Sequence, residues 1–354
     1  MTVSEMRWNP VLKQWVVTAT HRQERTYKPP ENFCPLCPTR DDSFPTEVPE
    51  PGYEIVVFEN KFPSFRPVPP EPAVEGTDIL RVQPAQGVCE VVLYTDEHHT
   101  TFRDLSVDHI TNLIEVWTDR YSELGSLDYI DYVLIFENKG DAVGVTLHHP
   151  HGQIYAFPFV PPIPARELES AHEYQKATGR CLFCDLLGQE LDDGRRLVAS
   201  NPHFAAVVPF YARYPYEVHV TSKGHRLSLL GFGSDEKRSL AEILKAVTSG
   251  YDNLFGFSLP YMMIMHQAPT CRGDWCHYHF HIEFYPLHRT ATKIKYLAGC
   301  ESGGGTFIND TLPEETAKNL RSAVCRATST DAIPDDSREA AGGGVGGGGA
   351  RGGR

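Results

Sequence analysis

Residues 90–98 read EVVLYTDEH and residues 217–225 read EVHVTSKGH, so the chain contains two similar β-type segments that each end on a histidine. A Cys-x-x-Cys pair precedes each segment, and a His-x-His pair follows each one further along the chain. These landmarks are Cys34, Cys37, His98, His149 and His151 in the first half and Cys181, Cys184, His225, His279 and His281 in the second. Because their order never breaks, the sequence predicts one structural unit that occurs twice.

A helical pattern follows each β-type segment. Apolar residues recur at helical spacing over about residues 106–124 and over about residues 235–255, and Ser106 and Ser234 stand at the N-cap positions. The apolar faces are Ile110, Leu113, Ile114, Trp117 and Tyr121 in the first helix and Leu240, Ile243, Leu244, Val247 and Tyr251 in the second. A further β-type segment follows each helix. We therefore expect an α+β fold in which a mostly antiparallel sheet packs against helices.

The repeat divides the chain into an N-terminal half, residues 1–170, and a C-terminal half, residues 171–330. We expect the two halves to merge their sheets into one. Residues 331–354 are Gly-rich and nearly devoid of apolar side chains, a composition typical of a disordered tail.

The charge balance excludes some classes of partner. The 354 residues include 33 Lys and Arg against 46 Asp and Glu, a formal net charge of −13. Nonspecific binding to nucleic acid or to an anionic membrane needs a positive surface, so neither is expected. No apolar run approaches the roughly 20 residues of a membrane-spanning helix, and the N-terminus lacks the apolar core of a signal peptide. We expect a cytoplasmic protein.

The Cys-x-x-Cys pairs predict metal sites. Two thiolates at this spacing can hold one tetrahedral Zn²⁺ from a tight turn, and two distant imidazoles complete a Cys₂His₂ set. The first set is Cys34, Cys37, His98 and His149, and the second, by duplication, is Cys181, Cys184, His225 and His279. The alternatives are ordinary buried cysteines in the first half and a duplicated framework without metal in the second.

The motif His149-Pro-His151-Gly-Gln153 predicts phosphoryl chemistry. Alternate residues of a strand line one face, so both imidazoles and the amide should point the same way. Pro150 donates no ladder hydrogen bond and therefore favours an edge or bulged position. One histidine can then serve the metal while His151 attacks phosphorus, and Gln153 can donate an N–H to a phosphoryl oxygen. The alternative is a set of surface histidines on a hairpin.

Two other segments suit an anionic ligand. Arg22 and Arg25 place two guanidinium groups three residues apart, and arginine binds phosphate through paired hydrogen bonds. Residues 138–146, NKGDAVGVT, form a glycine-containing segment just before the reactive histidine, where backbone N–H groups can approach a phosphate closely. Solvated surface arginines are the alternative explanation.

Several stretches together resemble galactose-1-phosphate uridylyltransferase, a family of the histidine-triad superfamily. They are RWNPVLKQWVVTATHRQER (7–25), VVFENKFPSF (56–65), FENKGDAVGVTLHHPHGQIYAF (136–157) and MHQAPT (265–270), and the similarity covers about residues 7–325. The resemblance implies a duplicated histidine-triad-like unit and a ping-pong reaction. In that reaction UDP-glucose gives UMP to a histidine and releases glucose 1-phosphate, and galactose 1-phosphate then takes the UMP to form UDP-galactose.

The resemblance also implies roles for individual residues. His151 matches the nucleophile and Gln153 a residue that contacts the phosphoryl oxygens. Thr146 stands where some members have Ser, and Lys61 replaces an acidic residue. The positions that match nucleotide-sugar contacts are Arg22, Arg25, Asn60, Lys61, Asn138, Gly144, Val145, Thr146, Gln153, Lys295, Tyr296 and Glu301.

For metals, the resemblance implies a structural zinc in the first Cys₂His₂ set and, in branches that have two such sites, a second zinc. Some relatives carry an iron-type site, whose counterparts here are Glu167, His266 and His281, with Glu283 where those relatives have a further histidine. A homodimer with its active sites at the subunit interface is implied by the resemblance alone.

Two other functions stay open at this point. A relative with the same histidine chemistry could act on ADP-glucose or another nucleotide sugar, because base selection depends on contacts that the sequence does not place. A non-catalytic zinc-binding interaction module would need no reactive histidine at position 151.

Overall fold

A computed structural model describes residues 3–24, 33–41, 43 and 45–330. Arg25 and the predicted tail, residues 331–354, lie outside the described residues.

Fourteen strands occur in the described residues, and nine of them form one sheet in which every neighbouring pair is antiparallel. The strands are β1 Ser4–Asn9, β2 Gln14–Ala19, β3 Val56–Glu59, β4 Val82–Pro84, β5 Val88–Leu93, β6 Tyr132–Lys139, β7 His151–Phe157, β8 Leu197–Ser200, β9 Phe204–Val207, β10 Val218–Ser222, β11 Tyr261–His266, β12 His281–Pro286, β13 His288–Thr290 and β14 Lys293–Ile294. The large sheet has the order β3-β5-β7-β6-β11-β12-β10-β9-β8. Two small sheets, β2-β1-β4 and β13-β14, flank it.

Six α-helices accompany these sheets in the described part of the chain. They are α1 Val107–Gly125, α2 Pro162–Thr178, α3 Leu182–Asp193, α4 Ser234–Leu254, α5 Gly299–Gly304 and α6 Pro313–Thr330. None of the described helices is both long enough and apolar enough to cross a membrane.

The predicted α+β class with a mostly antiparallel sheet is confirmed. The division at residue 170 stays a prediction, and α2 runs through that position.

The two predicted helices lie within one residue of their expected bounds. Ser106 caps α1, since its side chain accepts a hydrogen bond from the His109 backbone N–H at 3.1 Å. The expectation for Ser234 is wrong by one position: Gly233 is the N-cap, and its backbone N–H donates to the Glu236 carboxylate at 3.0 Å. A glutamate three residues after the cap supplies the acceptor, so Ser234 can enter the helix itself.

One hydrophobic core joins the two halves. The predicted apolar faces of α1 and α4 are both buried, and they pack in the same cluster as side chains of the large sheet. Trp117 of α1, Tyr251 of α4 and Phe284 of β12 are among its fully buried members. Burial of this kind stabilises a fold by roughly 25 cal/mol per Å² of apolar surface removed from water. The sheet is therefore held rigidly on one face, which fixes the strand ends that carry the histidines.

The sheet places the two His-x-His pairs at opposite ends of its strands. β6 and β11 are antiparallel neighbours at its centre, with Tyr261 opposite Lys139. His151 begins β7 near the end of β6, whereas His281 begins β12 opposite His266, the end of β11. Because the two central strands run in opposite directions, the two motifs lie at opposite ends of the strands.

The helix packing predicts opposite effects for one substitution at two glycines. A Cβ at Gly250 of α4 would lie 2.5 Å from Val324 Cγ2 of α6, whereas a Cβ at Gly188 of α3 would meet nothing within 4 Å. Gly250→Ala should lower the free energy of unfolding by about 1–3 kcal/mol through overpacking. Gly188→Ala should raise it by about 0.5–1 kcal/mol through helix propensity. Urea unfolding measures both, and destabilisation of equal size by the two substitutions would contradict this packing.

Candidate active site and metal centres

The His-Pro-His turn lies at the start of an internal strand. β7 pairs with β5 on one side and with β6 on the other. The edge position expected from Pro150 is therefore wrong. Pro150 precedes the first ladder residue, where no N–H is required, and its carbonyl accepts from the Tyr94 backbone N–H at 3.1 Å. The proline thus ends the ladder and lets His149 turn away from the strand.

His149 faces the first cysteine pair. Its Nδ1 lies 3.6 Å from Cys37 Sγ, and the Nδ1 of His98 lies 3.4 Å from the same sulfur. The ligand atoms of Cys34, Cys37, His98 and His149 all lie within 4.8 Å of one another. Burial raises the pKa of Cys37 to about 12, so metal binding must displace its thiol proton.

Hydrogen bonds orient His149 for this role. Its Nε2 lies 2.7 Å from the Thr95 carbonyl oxygen and 2.7 Å from the Tyr53 hydroxyl. Because a carbonyl only accepts, Nε2 carries the proton and Nδ1 keeps its lone pair toward the sulfurs. Burial lowers the pKa of His149 to about 4, so the ring is neutral near pH 7. A neutral imidazole with its lone pair aimed at two cysteines is arranged as a metal ligand.

The second half repeats this arrangement. His279 Nδ1 lies 3.4 Å from Cys184 Sγ and 3.8 Å from Cys181 Sγ, and His225 Nδ1 lies 3.6 Å from Cys184 Sγ. The Nε2 of His279 donates to the Ser222 carbonyl at 2.9 Å, as His149 does to Thr95. The Cys181, Cys184, His225 and His279 ligand atoms again form one group. Both halves therefore fit metal binding through two sulfurs and two imidazoles.

Glu167, His266 and His281 form a third group of potential ligands, on the opposite end of the sheet from His151. His266 Nδ1 donates to Glu167 at 2.8 Å, and the Nε2 of His281 lies 3.9 Å from the other Glu167 oxygen. Burial disfavours a charged imidazole, but the Glu167 and Glu283 carboxylates outweigh it and raise the pKa of His266 to about 9. The predicted iron-type residues are thus brought together.

Glu283 adds a second buried carboxylate to this group. It accepts from Arg213 at 3.0 Å, lies 3.2 Å from His219 Nε2 and accepts from the Tyr285 hydroxyl. Although burial acts the other way, the pKa of Glu283 lies well below its usual range because of the surrounding imidazoles and Arg213. This charge network was missed in the sequence; only the Glu in place of a further histidine pointed to it.

The imidazole of His151 carries its proton on Nδ1, the nitrogen that faces the His-Pro-His turn. Its Nδ1 lies 2.8 Å from the His149 carbonyl oxygen, so Nδ1 donates and Nε2 carries the lone pair of the neutral ring. Gln153 lies two residues further along β7, and Asn60 Nδ2 donates to its Oε1 at 3.5 Å. The amide N–H groups of Gln153 are then directed away from Asn60. His151 is thus arranged as a nucleophile, with an amide donor beside it.

A cavity of about 420 Å³, here called the Arg22 cavity, opens beside His151. Predicted site residues in its wall are Arg22, Asn60, Lys61, Thr146, His151 and Gln153. Phenylalanine side chains supply much of the remaining wall, as a base and ribose would require. Arg22 Nη1 donates to the Phe62 carbonyl at 2.7 Å, which fixes the guanidinium at the wall.

A second cavity, of about 400 Å³, lies on the other side of His151 and contains Asn138 and Val145 of the predicted set. Gly144 has a φ of 82°, a left-handed conformation that favours glycine, and it ends the short turn between these two residues. Lys295, Tyr296 and Glu301 line neither cavity. Lys295 Nζ pairs with Glu301 at 2.8 Å, and Tyr296 is 76% exposed.

The two glutamates of these cavities were not predicted. Glu47 forms an ion pair with Lys61 at 2.7 Å in the wall of the Arg22 cavity. Glu137 is buried in β6 at the base of the second cavity, where the Tyr261 hydroxyl donates to it at 3.3 Å. Burial raises the pKa of Glu137 to about 7. A lone glutamate inside an apolar strand, YVLIFEN, was the signal that would have identified it.

Comparison with known proteins agrees with this geometry. The family model for the N-terminal domain of galactose-1-phosphate uridyl transferase matches residues 1–161, and the model for its C-terminal domain matches residues 167–333. The galactose-1-phosphate uridylyltransferase of Thermotoga maritima is 41% identical over 318 residues, which cover 90% of this chain and 98% of that protein. The chain belongs to the galactose-1-phosphate uridyl transferase family.

Solved structures support this membership. A uridylyltransferase structure aligns with a TM-score of 0.81 at 34% identity and covers 91% of this chain and 99% of that one. An ADP-glucose phosphorylase from Arabidopsis thaliana with bound ADP-glucose aligns with a TM-score of 0.69 at 24% identity, covering 90% of this chain and 98% of that one. At that identity the second alignment shows a shared fold. The uridyl transferase family is therefore supported by both sequence and structure.

Removing each cysteine pair in turn should show which of the two Cys₂His₂ groups supports catalytic activity. Cys34→Ser with Cys37→Ser should lower bound metal by one equivalent. It should also lower kcat/KM by about 100-fold, because His149 both faces that metal group and accepts from His151. The matched control, Cys181→Ser with Cys184→Ser, should lower bound metal equally but leave activity nearly unchanged. Elemental analysis and steady-state assays measure both; equal loss of activity in the two variants would contradict the assignment.

Gly152 should be intolerant of a side chain. A Cβ there would overlap the hydroxyl of Tyr94, which is fully buried. Gly152→Ala should therefore shift β7 and lower kcat by roughly 100-fold, as small displacements of reacting groups do. Adding Tyr94→Phe removes the overlapping oxygen and should restore part of the activity. Full activity in Gly152→Ala alone would show that this contact does not position the strand.

Proposed function

We propose that this chain transfers UMP from UDP-glucose to galactose 1-phosphate through a covalent uridylyl group on His151. The observation that carries the proposal is the hydrogen bond from His151 Nδ1 to the His149 carbonyl, which assigns the lone pair to Nε2 in the wall of the Arg22 cavity. The family membership supports the choice of substrates.

In the first half-reaction, His151 Nε2 attacks the α-phosphorus of UDP-glucose. An N–P bond forms, and the bond from phosphorus to the bridging oxygen breaks, so glucose 1-phosphate leaves with that electron pair. The ring keeps its Nδ1 proton and becomes cationic, and the His149 carbonyl dipole stabilises this charge. No proton has to leave the site.

In the second half-reaction, a phosphate oxygen of galactose 1-phosphate attacks the same phosphorus. The N–P bond breaks, its electron pair returns to Nε2 and UDP-galactose is released. Gln153 can donate to a phosphoryl oxygen without adding charge, and Arg22 offers a guanidinium at the cavity wall. The two steps are chemically symmetrical, so one set of donors can serve both.

For the metals, we propose zinc in both Cys₂His₂ groups. Four protein ligands leave no open position, so zinc there would be structural and would hold the turn that precedes β7 or β12. The third group offers two imidazoles and carboxylates, a set that suits iron. No step of the proposed reaction passes through it, since it lies at the opposite end of the strands from His151.

We also propose that Lys295, Tyr296 and Glu301 contribute to the site of a second copy in a homodimer. They line neither cavity beside His151 in their own chain, while Tyr296 is largely exposed and close in sequence to the exposed Leu297. An exposed aromatic side chain next to an exposed leucine is suited to a subunit contact.

Incubation with UDP-glucose labelled in the α-phosphate tests the reaction. Acid-labile label should remain on the protein, and His151→Gly should abolish it and lower kcat by at least roughly 10⁴-fold, as loss of a nucleophile does. Bound metal should not change. His203→Gly is the matched control, because that histidine lies in the bend between β8 and β9 and lines neither cavity beside His151. If only labelled ADP-glucose labels the protein, the enzyme is specific for an adenine nucleotide sugar. If neither substrate labels it, the proposed transferase activity is wrong.

A further inference from the structure

A cavity of about 330 Å³ in the C-terminal half, here called the Phe183 cavity, occupies the position equivalent to the Arg22 cavity. In the first half, Phe58 of β3 lies opposite Val91 of β5, which lies opposite Gln153 of β7. In the second half, the same ladder positions are Val207 of β9, His219 of β10 and Glu283 of β12. Two residues further along the strands, on the same face, Leu93 lies opposite His151. The corresponding pair in the second half is Thr221 and His281.

The walls of the two cavities are therefore formed by equivalent positions on equivalent strands. The Arg22 cavity is lined by Phe58, Val91 and His151, and the Phe183 cavity by Val207, His219 and His281. Leu36 and Phe183, which stand between the cysteines of the two pairs, line the corresponding sides. Duplication has thus retained a cavity as well as a framework.

The chemistry at the end of the Phe183 cavity differs. His281 Nδ1 donates to the His279 carbonyl at 3.0 Å, as in the first motif. Its Nε2, however, lies 3.9 Å from a Glu167 oxygen and 3.7 Å from a Glu283 oxygen. Bare carboxylates at this distance repel an incoming phosphoryl group, and a metal held by Glu167, His266 and His281 would instead take the Nε2 lone pair. The second histidine therefore cannot repeat the nucleophilic step.

The charges around the Phe183 cavity are already balanced. Arg195 is bound to Asp193 at 2.6 Å, and Arg196 is bound to Glu190 at 2.7 Å and to Asp193 at 3.1 Å. These four residues supply two positive and two negative charges to the wall. Since each guanidinium has a carboxylate, a phosphate entering here would have to displace an existing pair. The cavity favours an uncharged ligand.

The rest of the wall suits a planar ring with polar edges. Phe183, Val207 and Phe210 form apolar surface, and Phe210 is 71% exposed. His281 lies against the Phe183 ring at 4.9 Å between centroids, and the Arg196 guanidinium lies 5.2 Å from the Phe210 ring centroid, so a ligand meets the remaining surface of each ring.

The side chains of Thr221, Gln189 and Tyr211 make no hydrogen bond with any other described residue. Thr221 is the buried one of the three, whereas Gln189 and Tyr211 are exposed, so the Thr221 hydroxyl is the polar group that a ligand enclosed in this apolar wall would meet.

We propose that the Phe183 cavity binds an uncharged nucleoside, distinct from the nucleotide that reacts at His151. The bound base lies against Phe183 and Phe210, and the Thr221 hydroxyl contacts its polar edge. Both cavities can be filled at once, because they lie at opposite ends of the strands.

Calorimetric titration of the full-length protein with uridine and with adenosine, in the presence of saturating UDP, tests this site. UDP blocks the Arg22 cavity, so one further equivalent of uridine or adenosine should bind. Uridine 5′-monophosphate should bind at least about tenfold more weakly than uridine, a difference of about 1.4 kcal/mol. Thr221→Val and Phe210→Ala should each weaken nucleoside binding about tenfold while uridylyl transfer is retained.

The controls separate this site from the catalytic one. Leu312→Ala truncates an exposed apolar side chain outside the cavity and should leave nucleoside binding unchanged. Asn60→Ala alters the Arg22 cavity and should lower transfer but not nucleoside binding under saturating UDP. Absence of binding by both nucleosides up to about 5 mM would overturn the proposal, as would binding that neither cavity variant weakens. Transfer activity reports independently on the reaction at His151.

Discussion

The hydrogen bond from His151 Nδ1 to the His149 carbonyl links the metal group to the reacting atom. Its geometry requires that His149 leave the strand, which Pro150 brings about, and that the His149 ring be held between Cys37 and the Thr95 carbonyl. A metal at the cysteines would fix the ring, the ring fixes the carbonyl, and the carbonyl sets the tautomer of His151. The lone pair of Nε2 is then directed by the framework rather than by a neighbouring base.

The two halves show how one framework supports two chemistries. Both hold a histidine whose Nδ1 donates to the carbonyl two residues earlier, at 2.8 Å in one half and 3.0 Å in the other. Two residues further along the strand, on the same face, the first half has the uncharged Gln153 and the second has Glu283. The carboxylate requires Arg213 and His219 to balance it, and this buried network removes the second histidine from phosphoryl chemistry. The change of amide to carboxylate, together with Glu167, therefore distinguishes the second end from the reactive one.

Local charge matters more here than net charge. The value of −13 predicts that no polymeric anion is a partner, yet it does not describe the Arg22 cavity, where a guanidinium, a lysine and amide groups meet. The Phe183 cavity has four charged side chains in its wall, and they form pairs with one another, whereas in the Arg22 cavity Lys61 pairs with Glu47 and Arg22 donates to the Phe62 carbonyl. A guanidinium bonded to a neutral carbonyl, as Arg22 is, favours the Arg22 cavity as the one that receives a phosphate.

The third set of metal-ligand candidates was implied only by the resemblance to the family. The sequence by itself determined the duplication, the α+β class, the helices α1 and α4 and the two Cys₂His₂ sets. Each of these depends on periodicity or on the spacing of a few chemically distinct residue types, which survive in one dimension. The tertiary structure alone decided that β7 is internal, that Lys61 pairs with Glu47, and that Glu283 joins Arg213 and His219. It also decided that Lys295, Tyr296 and Glu301 lie away from His151 in the same chain. These facts depend on strand order and on contacts between residues far apart in sequence, and no local pattern encodes such contacts because folding brings them together only when the whole sheet has formed.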